Sequence, residues 1–596
     1  MKTFFQSHFC LVLAALLTWL CLEITLTPKL YGSIKSVIID IKGISGIEHD
    51  NVEMILKVPE TLLAEGVIDE AWLERFERQT PRRVRRALEP FGYYSPEVTT
   101  KMEKLGEDTY QFFVTVQTGQ PVLINDIKIE IRGPGAFEPS LSELVARFPL
   151  AKGSRLRHDL YDGAKGEIQR KAINLGYLDA SYKEHTVNVS LQDLSASIDL
   201  VLDTGFQYHF GTTTFTGTPL YPEWFLRRYL DFKTGEIYSQ DKLSATHFNF
   251  ASADRFTIVT VTGKKESAEG DRVPVEVNLV PSPTKRVRFG LGFGTDTGPR
   301  GLIRYQDFNI WHLGHVFDTE LKVSKVFQGL GIRYIVPSSL DIRSYTSLTL
   351  TGEREDTEDK IVQYAQLEGA YTRTIAPGML GTLFTKLQYE DSKAGEEATR
   401  VFMLLPGIRF AHNRFDNLIR PSRGFRYDIE LRGTDRALSS NVSFMQILTS
   451  GELVMPLPKK FSLLTRMRVG ATTDHEAPDD LPISVRFFAG GDNSVRGYKY
   501  QSLGPKDLST GKVVGGRHLL FGSIELERAI GTNWGAAVFY DTGNAFNFWS
   551  KMDLAQSFGI GLRYYTVIGP IRLDLARQLE VKRPDLRIHF TVGIGL

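Results

Sequence analysis

The residues of this 596-residue chain that could do chemistry gather towards its C-terminal end, and they are charges set among glycines. Arg496 stands in "FFAGGDNSVRGYKY" (Phe487 to Tyr500), flanked by Val495 and by Gly497 and Tyr498, with Gly490 and Gly491 upstream. Glycine reaches backbone angles closed to other residues, so the stretch reads as a shaped loop around one guanidinium. The segments that follow supply anions. Asp541 lies in "VFYDTGNAF" and Asp574 in "PIRLDLA", with Arg563 and Arg572 as further cations. On a strand, Phe539, Asp541 and Gly543 share one face, because side chains alternate with a period of two. A guanidinium and a carboxylate can join through two parallel hydrogen bonds. The chemistry on offer is a structural ion pair between Arg496 and Asp541; an arginine that stays in solvent fits the same residues equally well.

Other chemistries find little support. "GLGFGTDTG" (Gly290 to Gly298) imitates a nucleotide loop, but its glycines alternate within a strand instead of opening a helix. There is no "GxSxG" elbow. The only cysteines are Cys10 and Cys21, both in the first apolar stretch. The chain is therefore expected to be no enzyme, with no catalytic set, metal or cofactor. With 71 basic and 70 acidic residues it lacks the cationic surplus of a nucleic-acid binder.

These charges need elements to position them. The N-terminus, Lys2 followed by apolar Phe9 to Leu22, is shorter than the roughly 20 residues of a spanning helix, and residues 1–32 read as a secretory signal. No second long apolar run follows, so membrane entry would require a closed barrel. From 33 to 282 one pattern of strand, two helices and two strands repeats three times, with boundaries at 33–119, 120–205 and 206–282. The helices are placed near Trp72 to Leu88, Ser140 to Phe148, His158 to Leu175, Pro222 to Asp231 and Ser239 to Ala253. The helix-to-strand corner recurs as Phe91-Gly92-Tyr93 and Leu175-Gly176-Tyr177.

Over residues 283–596 the helical period disappears, and roughly 16 segments alternate apolar with polar residues. In "RIHFTVGIGL", Ile588, Phe590, Val592, Ile594 and Leu596 face one way, and Arg587, His589, Thr591, Gly593 and Gly595 the other. An antiparallel transmembrane barrel has this pattern, with apolar residues towards lipid and polar ones towards the lumen. On the first strand Gly290, Gly292 and Gly294 share a face, as Gly593 and Gly595 do on the last. Strand glycines weaken pairing, so a seam that can part is expected between these two strands. Glycines that merely make room for the folded-in loop are compatible with the same pattern. The acidic run "EREDTEDK" (Glu353 to Lys360) is expected at a solvated external tip.

Three motifs in order carry a resemblance. "SVRGYKY", Phe539-Tyr540-Asp541-Thr542-Gly543, and Gly559-Ile560-Gly561-Leu562-Arg563 followed by "GPIRLDLA" resemble the signatures of the BamA/TamA outer-membrane barrel-assembly superfamily. The repeats resemble its POTRA domains, and three of them before a 16-stranded barrel resemble its TamA branch. The resemblance implies that the arginine loop tucks into the barrel, with Arg496 near Asp541, Gly497 permitting a tight turn, Tyr498 packing alongside and Arg563 as a further member. It implies an outer-membrane barrel with its N-terminal domains in the periplasm. The implied partners are the lipid bilayer, unfolded outer-membrane protein clients and a TamB-like periplasm-spanning protein. The implied role is insertion of clients such as autotransporters through the seam, with phospholipid delivery as a further cargo. The alternative is a secretion pore that passes substrate through the lumen.

Overall fold

The computed structural model describes residues 36–58, 70–105, 109–218, 220–417, 420–473, 480–566 and 569–592. The expected signal segment, Gly593 and Gly595 lie outside these residues. The chain forms two compact units. One runs to Phe210 and takes in Gly235–Asp241 and Ala268–Val273; the other comprises Gly211–Thr234, Lys242–Ser267 and Pro274–Leu596.

The first repeat is β1 (Ser36–Lys42), α1 (Ile47–Leu56), α2 (Glu70–Leu88), β2 (Glu97–Lys104) and β3 (Thr109–Gln117). Its sheet order is β1-β3-β2, with β1 parallel and β2 antiparallel to β3. A parallel pair needs a crossover, which the two helices supply. Leu73, Phe76, Val84 and Leu88 recur on one face of α2 at helical spacing and pack on Phe112, Val114 and Val116, which recur every second residue on β3.

The same plan repeats in β4 (Leu123–Arg132), α3 (Pro139–Ala146), α4 (His158–Asn174), β5 (Ser181–Ser190) and β6 (Ser195–Asp203). It recurs in β7 (His209–Thr216), α5 (Glu223–Arg227), α6 (Gln240–Ala251), β8 (Phe256–Gly263) and β9 (Arg272–Pro281). Both sheets again place the last strand or its equivalent in the middle, β4-β6-β5 and β7-β9-β8. The corner glycines have φ of 83° at Gly92 and 88° at Gly176, in the left-handed region that favours glycine. Helix α5 is five residues long, shorter than the stretch to Asp231 that its apolar pattern predicts. The Asp231 amide donates to Thr246 Oγ1 (2.9 Å) on α6, which turns the chain away from the helix.

Sixteen antiparallel strands then close a barrel in chain order, from β10 (Lys285–Gly294) and β11 (Gly298–Ile310) to β25 (Leu586–Val592). Alternation sorts the faces. Leu291 is 83% exposed and Ile588 61%, with Phe289, Ile560 and Leu562 also turned outward, whereas Arg496, Asp541 and Arg563 are enclosed. An apolar exterior over a polar interior suits a barrel in lipid. Two deviations from the expected loop pattern stand out. Within "EREDTEDK", Glu353 accepts a hydrogen bond from the Tyr364 hydroxyl, and Lys360 is buried with its Nζ 2.6 Å from Glu355. These charges point inward because the strands continue through them; the exposed tip is Glu358. The third repeat meets the barrel within its own unit. Asn309 Nδ2 donates to the Leu220 carbonyl (2.9 Å), and the buried Arg255 donates to the Gly314 carbonyl (2.9 Å) and to that of Phe308.

Candidate functional site in the barrel lumen

The longest connection in the barrel joins β20 (Phe461–Thr472) to β21 (His518–Ile530), and its described part folds inward. Leu481, Ile483, Val485 and Val495 along it are buried. Gly490 and Gly491 both have φ of 103°, where the loop reverses.

Arg496 is 2% exposed and Asp541, on β22 (Trp534–Phe546), 0%. Nε of Arg496 donates to Asp541 Oδ2 at 2.8 Å and Nη2 to Oδ1 at 2.9 Å, a two-pronged pair. The Arg496 backbone amide adds a third bond to Asp541 Oδ2 at 3.2 Å. Nη1 reaches Glu525 Oε2 on β21 (2.7 Å) and Asp574 Oδ2 on β24 (Gly569–Leu579; 3.3 Å). The guanidinium carbon lies 3.3 Å from the centre of the Phe539 ring, so the cation rests on an aromatic face. Behind that ring, a Cβ on Gly559 of β23 (Ala555–Thr566) would lie 2.2 Å from Phe539 Cζ.

Arg563 closes a second shell of charge, with Nη2 2.8 Å from Glu525 Oε1 and Nη1 against Asp574 Oδ1. Ser523 Oγ donates to Asp541 Oδ1 (2.7 Å) and is approached by Arg466 Nη2 (3.3 Å). The strand alternation brings Ser523, Glu525, Asp541, Arg563 and Asp574 to the same interior face. The arrangement can fix a loop.

Among the residues singled out by sequence, Val495, Arg496, Gly497, Phe539, Asp541, Gly543 and Arg563 are buried at or beside this cluster, and Tyr498 is half-buried. Gly497 differs from expectation. Its φ is not in the left-handed region, so it makes no glycine-dependent turn. A Cβ there would meet Ser557 Cβ at 2.8 Å, so the residue serves close approach of the loop to the wall, and its carbonyl accepts from Gln578 Nε2 (2.9 Å). Sequence reasoning did not attach Glu525, Ser523 or Gln578 to the loop. The alternation in "SIELERAI" marks Ser523, Glu525 and Glu527 as one polar face, and that signal was available. His589 also went unassigned; its Nε2 meets the Arg496 carbonyl.

The seam glycines divide. Gly290 and Gly294 are enclosed and Gly292 half-enclosed on the inner face of β10, opposite outward Phe289, Leu291 and Phe293. All ten residues of β10 pair with β11, but only Phe293↔Val592 and Gly294↔Thr591 join β10 to β25 among the described residues. Beyond them, the Thr295 amide donates to the Phe590 carbonyl (3.0 Å) and its Oγ1 accepts from the Phe590 amide (2.7 Å).

Residues 320–596 match the Omp85 superfamily domain, and residues 38–118 match the first POTRA domain of the TamA type. The chain is similar to the outer membrane protein assembly factor BamA of Neisseria meningitidis serogroup B, 21% identical over 561 residues, covering 80% of this chain and 69% of that protein. It is 24% identical over 198 residues to BamA of Nitratidesulfovibrio vulgaris, covering 31% of this chain but only 25% of the relative's length. Of BamA from Neorickettsia risticii it spans 51%, at 18% identity and over 60% of this chain. Among solved structures, BamA from Haemophilus ducreyi lacking POTRA domains 1–3 superposes with a TM-score of 0.67 at 16% identity, over 79% of this chain and 99% of that one, which shows a shared fold. The match over residues 320–596 to an Omp85 superfamily domain, with a TamA-type POTRA match over residues 38–118, identifies a barrel of the outer membrane whose N-terminal POTRA-like domains lie in the periplasm.

Proposed function

We propose that this protein assembles other outer-membrane proteins, and that clients enter the bilayer through the wall of the barrel rather than its lumen. The observation that carries the reading is the inner face of β10, where Gly290, Gly292 and Gly294 bring no side chains to the closure with β25. A strand freed along one side offers backbone donors and acceptors to an incoming strand, so a client could be added by pairing alone, without enzymic chemistry. Gly290, Gly292, Gly294, Gly593 and Gly595 would then be the residues that keep the seam weak. The loop held by Arg496, Asp541 and Arg563 would block the lumen and shape its inner surface.

The TamA-type first repeat supports a TamB-like periplasmic partner, with autotransporters as clients and phospholipid as a second cargo. Three repeats with boundaries at 33–119, 120–205 and 206–282 would receive chain in the periplasm. Their sheets leave outer strands, β1 and β2 in the first repeat, for pairing with extended peptide.

The test is a lock. Cysteines replace Phe293 and Val592, register partners across the seam, with native Cys10 and Cys21 replaced by serine. Antiparallel partners have Cα atoms about 4.5–5.5 Å apart, within disulfide reach. Oxidation is expected to stop client delivery and reduction to restore it. A locked barrel that delivers at the normal rate sinks the wall reading. A lumenal pore would instead show large, stable ion conductance that is lost when the loop inserts.

A further inference from the structure

One buried ionisable group at the seam has no part in the reading above. His589 lies on the inner face of β25 and is 2% exposed. Its Nε2 meets the backbone carbonyl of Arg496 and its Nδ1 meets Asp492 Oδ1, both in the inserted loop. The Asp492 amide in turn donates to Oδ2 of Asp296, in the turn after β10, at 2.6 Å. A Cβ on Gly491 would stand 2.4 Å from that Asp296 oxygen, so glycine leaves room for the contact. Last strand, loop and first-strand turn are thus joined in series, and the histidine is the link to β25. We propose that His589 is a positioning residue which, while its proton is in place, holds the last strand to the inserted loop and through Asp492 to the turn after β10, so that loss of the proton frees this end of β25.

The two contacts of the ring require two protons. A carbonyl only accepts, so Nε2 carries one. The contact between Nδ1 and Asp492 needs the second, whether as imidazolium against carboxylate or with the proton carried across to the acid. Without it, a lone pair on Nδ1 faces a carboxylate oxygen and the attraction turns into repulsion. The side chains are 2% and 13% exposed, so solvent does little to relieve that opposition. Histidine is the side chain whose charge changes near neutral pH, which makes this a joint that can be opened by a proton.

The neighbouring charges have other engagements or keep their charge throughout. Asp574 is the register partner of His589 on β24, and its carboxylate is taken by Arg563 and Arg496. The Arg496 guanidinium points to Asp541, so only its carbonyl meets the ring. Asp296 lies within 4.8 Å of both members of the pair; burial and the Asp492 carboxylate push its carboxyl up to about 6. From β11, Arg300 approaches Asp492: Asp492 Oδ2 and Arg300 Cζ lie 3.6 Å and 3.9 Å from where a Cβ on Gly294 would stand. Arg468 of β20 and Tyr500, which donates to Glu355, line the same cavity as Asp296 and Asp492. On β25 itself the inner-face charge is Arg587. Arginines stay charged at every pH a protein meets, so above neutrality the imidazole is the group of this set that discharges.

The full chain, folded in detergent micelles, is followed by hydrogen exchange of the segment 586–592 between about pH 6.5 and about pH 9, each rate divided by the intrinsic rate at that pH. Asp296, raised from 3.8 to about 6, gives stability that is present below 3.8 and lost as pH rises through about 6, so its change precedes this range. The clasp needs a proton, so its contribution is present at the acid end and lost as pH rises through the titration of the folded histidine. Protection of 586–592 is expected to fall by about tenfold or more across the range, while the remote strands over 360–394 stay level. In His589→Gln and Asp492→Asn, each checked for a folded barrel by circular dichroism, 586–592 should start less protected and show no fall. A role in packing alone would lower protection in His589→Gln without giving the wild type a pH profile. A wild-type profile flat within about twofold overturns the proposal, as does a fall that persists in His589→Gln. A fall shared by 360–394 refutes a local clasp. The consequence for clients rests on the wall reading, but no client enters this measurement. The profile can therefore fail while the cysteine lock stops delivery, and the reverse.

Discussion

Replacing Arg496 by alanine removes one guanidinium from a closed electrostatic set. Arg496, Arg563 and Arg466 stand among Asp541, Glu525 and Asp574, three cations against three anions. Asp541 is 0% exposed, so once its partner is gone water cannot take over from inside the folded cluster. Removing one member of a buried pair costs about 3–5 kcal/mol, because the remaining charge stays buried. At about 1.4 kcal/mol per tenfold, the opening equilibrium of the loop rises by roughly a hundredfold or more. Hydrogen exchange across residues 490–500 reads that opening directly, without requiring reversible unfolding of the whole barrel. Arg496→Lys keeps the charge but cannot repeat the fork of Nε and Nη2, and should fall between wild type and alanine. Asp541→Asn should cost less, about 1.5–3 kcal/mol, since Glu525 and Asp574 still hold the guanidinium. In the double variant the two effects should fall short of their sum by about 1–3 kcal/mol. If Arg496→Ala changes protection less than about tenfold, or the effects simply add, the clasp does not hold the loop.

Other expectations follow from close contacts. Gly559→Ala places a Cβ 2.2 Å from Phe539 Cζ and 2.4 Å from the Leu575 carbonyl, so it should displace the ring beneath Arg496 and destabilise the barrel by about 1–3 kcal/mol, read from urea midpoints. Gly314→Val, at φ 73° and with its Cβ 2.3 Å from the Phe225 ring, should loosen the third repeat from the barrel turn and speed proteolysis between 220 and 230. In the exposed turn at Asp507 within the β20–β21 connection, hydrogen bonds from Ser509 and Thr510 hold the Asp507 carboxyl below the ordinary carboxylate range. Its contribution is therefore present above the unfolded pKa and lost as pH falls through the lower folded value. Cleavage of residues 507–511 by pepsin should accelerate as pH is lowered below about 3.8, and a flat profile would refute this.

Strand alternation and glycine corners made most of the architecture legible. The period of two that sorted Phe539, Asp541 and Gly543 onto one face is the same period that the closed barrel imposes. The partner sets were less visible. Glu525, Asp541 and Asp574 lie on separate strands, and only barrel closure brings them to one guanidinium. The triad of Asp296, Asp492 and His589 is still harder to see, since its members are separated by about a hundred residues or more and meet only across the seam. Helix α5 was overestimated because a side chain on α6 captured a backbone amide, an event that local propensity does not contain.

The inserted loop has a mechanical consequence. Towards one wall, Ser484 binds Glu390 and Gln388, and Tyr500 binds Glu355. Towards the other, Arg496 and Gly497 bind Asp541, Glu525, Asp574 and Gln578. A segment tied at both ends acts as a strut across a ring and resists ovalisation along its own axis. Strain imposed on the ring by lateral pressure from the bilayer, or by a client wedged into the seam, is then deflected from the braced arc. It concentrates in the arcs that the strut does not reach. The loop would thus set the direction in which the barrel yields, as a crossbar decides which side of a frame will rack.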